Sequence, residues 1–447
     1  MHVYATDTPG IGGAIRQSID DFIVEEVLVD GSKATIEKAV TNPALGGSAS
    51  KQRYLLCVLV KRNWDTFVAI KNVAEQLGIN QKQIQVAGIK DAKAVTAQHV
   101  TIENAAMKDV SRINIKDIEI RPIGYFRDEL SAYYLLGNDF RIRIRGVKHA
   151  KAEIEKRIAE TMAKLDTLGG IPNFFGHQRF GTTRPITHIV GKAIVVGDFE
   201  EAAMLFLGQP SAHEHPSSRR AREQFQSNRD FKQALQDFPK QLRFERLMLS
   251  HLVEKPGDFV GAFQRLPIRL QELLVQAYQS FLFNLFLSER IRSGFSLDRA
   301  EVGDYVVGVE RSGLPMIRTG KTTSADNLAE INEKVKVGRM RVALPLVGCK
   351  QGLSQGVMGE IEKRILEAES VAAVNFGVEA VPEMSGRGEL RAIVSPVRDF
   401  KVQYISSTVE DSNEHKVELG FTLLRGSYAT MLLREIMKPR NPIAAGF

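Results

Sequence analysis

The run Asn138-Asp139-Phe140-Arg141-Ile142-Arg143-Ile144-Arg145 limits the fold more than any other stretch of this chain. Side chains along a strand alternate between its faces, so Phe140, Ile142 and Ile144 point one way and Arg141, Arg143 and Arg145 the other. The segment therefore reads as a strand of a sheet with one apolar face packed on a core. The arginine face is either solvated or tracks phosphates. A helix is expected just after it, over 150–165, with Ile154, Ile158, Met162 and Leu165 on one stripe.

Strand-like segments gather towards the two ends of the chain. Asp20 and Asp21 lead into Phe22 to Val29, Tyr54 to Val60 is an unbroken apolar run, and Ile84 to Val86 and His99 to Ile102 are shorter. Leu390 to Val394, Lys401 to Ile405 and Val417 to Leu424 follow near the C-terminus. Asn63 or Asp65 can cap a helix that Gly78 stops after Leu77, and Ser427 is a plausible N-cap for a last helix through Ile436. Gly169 and Gly170 break the pattern, and the middle differs: Leu270 to Ile291 is a long helix with apolar residues almost all round. Residues 211–246, with Arg219, Arg220, Arg222, Arg229, Arg243 and Arg246, read as exposed helices or a basic arm. A chain of 447 residues exceeds one ordinary core. Similar ends around a different middle are the pattern of an insertion into a catalytic domain.

A formal charge of +7 favours a polyanionic partner, nucleic acid first, without requiring one. The two cysteines, Cys57 and Cys349, form no CxxC pair or disulfide framework, which fits a reducing cytoplasm. Met1 to Arg16 lacks a signal-peptide core, and no stretch approaches a membrane span, so no membrane association is expected.

Between the strand-like runs at Ile84 to Val86 and His99 to Ile102 lies Ala87-Gly88-Ile89-Lys90-Asp91-Ala92-Lys93. An acid set between two lysines at the end of a strand is placed for chemistry. The same spacing also suits a solvated turn aspartate in a weak surface ion pair. Asn173-Phe174-Phe175-Gly176-His177-Gln178-Arg179-Phe180-Gly181 mixes aromatic and basic residues with glycine, as base stacking beside phosphate contact would. An aromatic turn packed under a loop has the same composition. Gly320-Lys321-Thr322 imitates the end of a phosphate loop, but Pro315 stands where that loop needs a glycine and has no N–H to offer. No GxGxxG is present, and His213-Glu214-His215 has no partner cluster at metal spacing.

Ala87-Gly88-x-Lys90-Asp91-x-x-Ala94-x-Thr96-x-Gln98 resembles the TruD family of pseudouridine synthases. So does Asn173-Phe174-Phe175-Gly176-x-Gln178-Arg179-Phe180-Gly181, close to that family's Asn-Tyr-Phe-Gly-x-Gln-Arg-Phe-Gly. Further similar segments are Asp21-Phe22-x-Val24-x-Glu26, Gly137-Asn138-x-Phe140, Arg184-Pro185-x-Thr187-His188, Ala277-Tyr278-Gln279-Ser280 and Gly426-Ser427-Tyr428-Ala429-Thr430. They follow family order along nearly the whole chain.

The resemblance implies an α/β (α+β) fold: a pseudouridine synthase catalytic domain with a mixed, mainly antiparallel sheet, formed by 1–167 and 387–447. An inserted α/β domain characteristic of the family would occupy 168–386. It implies an isomerase that converts uridine to pseudouridine in tRNA, at position thirteen in the family's usual substrate. Asp91 matches the family's nucleophile, Phe140 the phenylalanine that stacks on the uridine, and Asn138 the asparagine beside the nucleophile. Arg16 stands where the family usually has a lysine near the acid. Arg16 or Lys90 would keep Asp91 charged. Lys93, Arg141, Arg143, Phe175, Gln178 and Arg179 are the expected RNA contacts. Ala92 stands where a lysine often follows the nucleophile, Phe174 replaces a tyrosine, and Ile19 replaces a proline. The reaction oxidises and removes nothing, so neither cofactor nor metal is implied, and a cytoplasmic monomer is expected. The rival class is a non-catalytic tRNA-binding or tRNA-folding protein, which would need the basic surface but not Asp91.

Overall fold

A computed structural model describes residues 3–37, 44–407 and 414–447. The chain divides into two compact units. One comprises Ala5–Ile171, Arg311–Leu314 and Ser395–Phe447; the other takes Pro172–Glu310 and Pro315–Val394, with the residues up to Tyr4.

The first unit is built on an eight-stranded sheet. Its strands are β1 (Phe22–Leu28), β2 (Tyr54–Arg62), β3 (Ile84–Val86), β4 (Val95–Glu103), β5 (Ile118–Phe126) and β6 (Leu135–Val147), then Val397–Ser407 and His415–Leu424. The order across the sheet is Val397–Ser407, His415–Leu424, β6, β1, β4, β2, β5, with β3 beside β4. Among the described residues β1 and β4 run parallel, and the other neighbours in this sheet are antiparallel. The sheet is thus mixed and mainly antiparallel.

The apolar run of β2 follows from burial on both faces, which removes the need to alternate. One face carries Leu55, Cys57, Leu59, Val100 and Ile102. Helix α1 (Thr66–Leu77) lays Ala69, Ile70, Val73 and Ala74 onto them. Asp65, not Asn63, caps α1, accepting from the N–H groups of Phe67 and Val68. Gly78, with φ +65°, ends the helix in the left-handed conformation that glycine adopts without strain.

Strand β6 alternates as its sequence implies, with Ile142 and Ile144 fully buried and the three arginines half-buried. After it, Lys151–Thr167 forms a helix that buries Ile154, Ile158, Met162 and Leu165. The last helix, Ala429–Met437, is present, but Ser427 does not cap it. Tyr428 holds the cap position, and the Ser427 hydroxyl bonds that of Ser395 at 2.6 Å.

The second unit has at its core the helix Ile268–Arg292, buried around most of its circumference. A four-stranded antiparallel sheet runs Glu389–Ala392, Met340–Leu346, Tyr305–Val309, Pro315–Thr322. Gly320-Lys321-Thr322 therefore lies in a strand, with Lys321 opposite Val306 and Thr322 opposite Tyr305. It is no phosphate loop.

Of the two readings of 211–246, exposed helices or a basic arm, the helices are present, but not all of their arginines are exposed. The segment folds into the helices Pro216–Asn228 and Phe231–Asp237 and the start of Arg243–Glu254. Arg222 is 1 % exposed and bonds Glu214 at 3.0 Å and Glu245 at 2.6 Å. Arg246 donates to the carbonyls of Leu235 and Phe238. A guanidinium offers five donors, so it can tie helix ends together from inside. Arg220, Arg229 and Arg243 remain exposed.

Candidate active site

Asp91 sits at the start of the turn between β3 and β4. Its Oδ1 is 3.1 Å from a guanidinium nitrogen of Arg16, and its side chain is 34 % exposed. This is not the solvated turn aspartate that spacing alone allowed. Arg16 is held in place from several directions. Its backbone has φ +56°, a strained value for a residue with a side chain. The flanking chain imposes it: Ala14 pairs with Arg145, and the Ile15 N–H donates to the Ala445 carbonyl. The guanidinium also donates to the Gly446 carbonyl at 3.2 Å and lies 4.1 Å over the Phe22 ring. Burial lowers the pKa of Arg16, and the Asp91 carboxylate opposes that shift.

Lys90 turns the other way. Its ammonium is 2.6 Å from Glu26, which is fully buried and also accepts from the His99 N–H at 2.9 Å. Burial by itself would raise the Glu26 pKa, but Lys90 and His99 hold it below the ordinary glutamate range. Of the two cations expected near the acid, Arg16 therefore pairs with it and Lys90 anchors the loop to β1.

Phe140 and Asn138 face the same side of the sheet, opposite Val24 and Glu26 of β1. The Phe140 ring is 6 % exposed, stacked on Phe421 at 5.4 Å and edge-on to Phe22 at 6.2 Å. Phe22 thus links the ring to Arg16, and Arg16 to Asp91. Asn138 presents a buried Oδ1 without a hydrogen-bond partner among the described residues, a free acceptor of the kind that a uracil N3–H needs. Because Phe140 is packed between two rings, Phe140→Ala is expected to remove about 3–5 kcal/mol of stability as well as turnover. Thermal unfolding beside rates taken well below the melting temperature separates the two losses.

Among the expected RNA contacts, Lys93 is exposed beside Asp91, and Arg141 is half-buried with no ion pair among the described residues. Arg143 is engaged within the protein, 2.8 Å from Glu418 and 3.7 Å from Asp21, and donates to the Tyr404 hydroxyl. Arg145 also binds Asp21, so two of the three arginines on this face serve as ion-pair partners.

In the second unit, Phe175 is 7 % exposed, edge-on to Phe283, with Arg391 4.0 Å over its ring. This is the packed aromatic turn that the composition also allowed, and the ring is covered, not offered to a base. Asn173 donates to the Ala392 carbonyl and accepts from Arg391. Arg179 reaches Ser280 and Gln276, and Gln178 is half-buried. Glu214 is taken by Arg222, and His215 accepts from the Ser217 N–H. Among the described residues, no group of three or more His, Cys, Asp or Glu side chains could hold a metal ion.

Sequence reasoning missed Lys61, at the end of β2, whose ammonium donates to the Asp91 carbonyl at 2.7 Å. The available signal was a lysine closing an otherwise apolar strand. It also passed over the role of Glu26, which its place within an apolar alternation marked as buried.

The family model for tRNA pseudouridine synthase D (TruD) matches residues 1–436. A protein of Methanosarcina acetivorans, named as a probable tRNA pseudouridine synthase D, is 39% identical over 98% of this chain and 95% of its own. One of Pyrococcus abyssi, similarly named, is 37% identical over 97% of this chain and 98% of its own. The crystal structure described as tRNA pseudouridine synthase D (TruD) from Methanosarcina mazei superposes with a TM-score of 0.81 at 36% identity, covering 98% of this chain and 96% of that one. The mixed, mainly antiparallel sheet and this structural match place the fold in the pseudouridine synthase class. Within it, this chain belongs to the TruD family.

Proposed function

We propose that the protein isomerises uridine to pseudouridine in tRNA, at position 13, with Asp91 as the group that acts on the ribose. The observation that carries this reading is the Asp91–Arg16 pair, a carboxylate with an open flank held at 3.1 Å from a guanidinium on a fixed backbone. The N1–C1′ bond breaks, the base turns, and a C5–C1′ bond forms; the C5 proton leaves and N1 ends with one. Asp91 serves either as nucleophile at C1′ or as base at C2′, and both roles need it ionised. Arg16 holds the carboxylate in one orientation through its ion pair. Phe140, held between Phe421 and Phe22, backs the wall against which the extruded base lies, and the Asn138 Oδ1 accepts from the uracil edge. Lys93, Arg141 and the exposed arginines of the second unit supply phosphate contacts, which makes affinity fall with salt. The protein acts as a monomer in the cytoplasm.

The test is tritium release from a tRNA transcript labelled at uridine C5. About one equivalent per tRNA is expected, and replacing uridine 13 with cytidine should abolish it. Release that survives the replacement would overturn the position.

A further inference from the structure

Lys61 is completely buried. Its Nζ lies 2.7 Å from the Trp64 carbonyl oxygen, 2.7 Å from that of Asp91 and 3.5 Å from that of Lys90. Among the described residues no carboxylate forms an ion pair with it. Other side chains hold the same loop. The Thr66 hydroxyl donates to the Lys90 carbonyl and accepts from the Lys90 N–H, each at 3.2 Å. Gln98 donates to the Gly88 carbonyl at 3.1 Å. The carbonyls of Gly88, Lys90 and Asp91 are therefore each met by a donor from β2, α1 or β4.

Burying an ammonium is costly, and ordering a strand end and a helix start does not need one, because neutral donors would serve. The charge is aimed at the backbone of the residue that carries the acid. A catalytic group must be held within a fraction of an ångström of its productive geometry, by neighbours that are themselves locked.

We propose that Lys61 is a positioning residue for the isomerisation, whose ammonium gathers the carbonyls of Trp64, Lys90 and Asp91 and fixes the direction in which the Asp91 carboxylate is presented. This rests on the assignment of Asp91 as the reacting acid. Burial lowers the pKa of Lys61 to about 8; the charges of Asp91 and Asp65 raise it, and that of Lys90 lowers it. A neutral amine keeps two N–H groups and turns a lone pair towards a carbonyl, so the clamp loosens as the pH rises through that value.

Single-turnover isomerisation of saturated tRNA, measured between pH 7 and pH 9, tests this. Lys61→Met should lower the rate at pH 7 by about 100-fold while tRNA affinity stays within about threefold. It should also abolish the alkaline decline expected of the wild type, a signature that a loss of packing alone would not produce. A rate within about threefold of wild type overturns the role, as does a wild-type profile that stays flat or an alkaline decline that persists in the variant. Should Lys61→Met fail to fold, Lys61→Gln keeps two donors and removes the charge. An unchanged decline in Lys61→Gln overturns the proposal. Asp91→Asn in the same series separates the two failures. If it is active, the underlying assignment falls; if it is inactive beside a fully active Lys61→Met, only the role of Lys61 falls.

Discussion

Asp91→Asn is expected to fold, to bind tRNA within a few-fold of wild type and to release no tritium from C5-labelled uridine. The substitution is nearly isosteric, and the loop around it is held by groups that do not involve the carboxylate. Lys61, Thr66 and Gln98 all bond main-chain atoms, and Lys90 is anchored on Glu26. The amide loses the negative charge needed to act on the ribose and leaves the Arg16 guanidinium without its carboxylate. Loss of a reacting group with binding retained places the effect in the chemical step, and a rate drop of at least about 10⁴-fold is expected. Activity close to wild type would reject Asp91 as the reacting acid. Weakened tRNA binding in proportion to the lost rate would instead make it a binding residue.

The second large effect is on stability. Glu26→Ala leaves the Lys90 ammonium buried, 5 % exposed, with its carboxylate partner gone. Removing one partner of a buried pair costs about 3–5 kcal/mol, because the surviving charge is uncompensated. The His99 N–H loses its acceptor in the same step. Urea unfolding should show this as a lower midpoint at unchanged slope, and Glu26→Gln, which keeps an acceptor oxygen, should lose less. The dependence on pH follows from the depressed pKa of Glu26 in the folded protein. The unfolded glutamate takes up its proton near about pH 4.3, before the folded one does. The stabilisation is therefore complete above that pH and is lost as the pH falls through the lower, folded value. Wild type should lose stability over that acid range, and Glu26→Gln should lack that component. Identical acid unfolding of the two would show that the pair contributes nothing net.

Much of the architecture was legible in the order of residues. The alternation in β6, the unbroken run of β2, a helix cap at Asn63 or Asp65 and the Gly78 stop each describe one segment against an apolar surface, and such patterns depend only on neighbours along the chain. The motif around Asp91 was legible for the same reason, being contiguous. Other features were not. Arg143 reads as a surface arginine until Glu418, 275 positions away, is found beside it. Phe175 reads as a stacking ring until Arg391 and Phe283 cover it. Arg222 reads as part of a basic arm until Glu214 and Glu245 enclose it.

What the sequence alone determined is the strands and helices with strong local patterns, the faces they bury and the contiguous motif that carries Asp91. Only the tertiary structure decided which cation each carboxylate takes: Arg16 for Asp91, Lys90 for Glu26, and Lys61 for main-chain oxygens. The physical reason is that hydrophobic burial is read from local periodicity, whereas a charged group chooses its partner among everything that the fold brings within a few ångströms, whatever its distance along the chain.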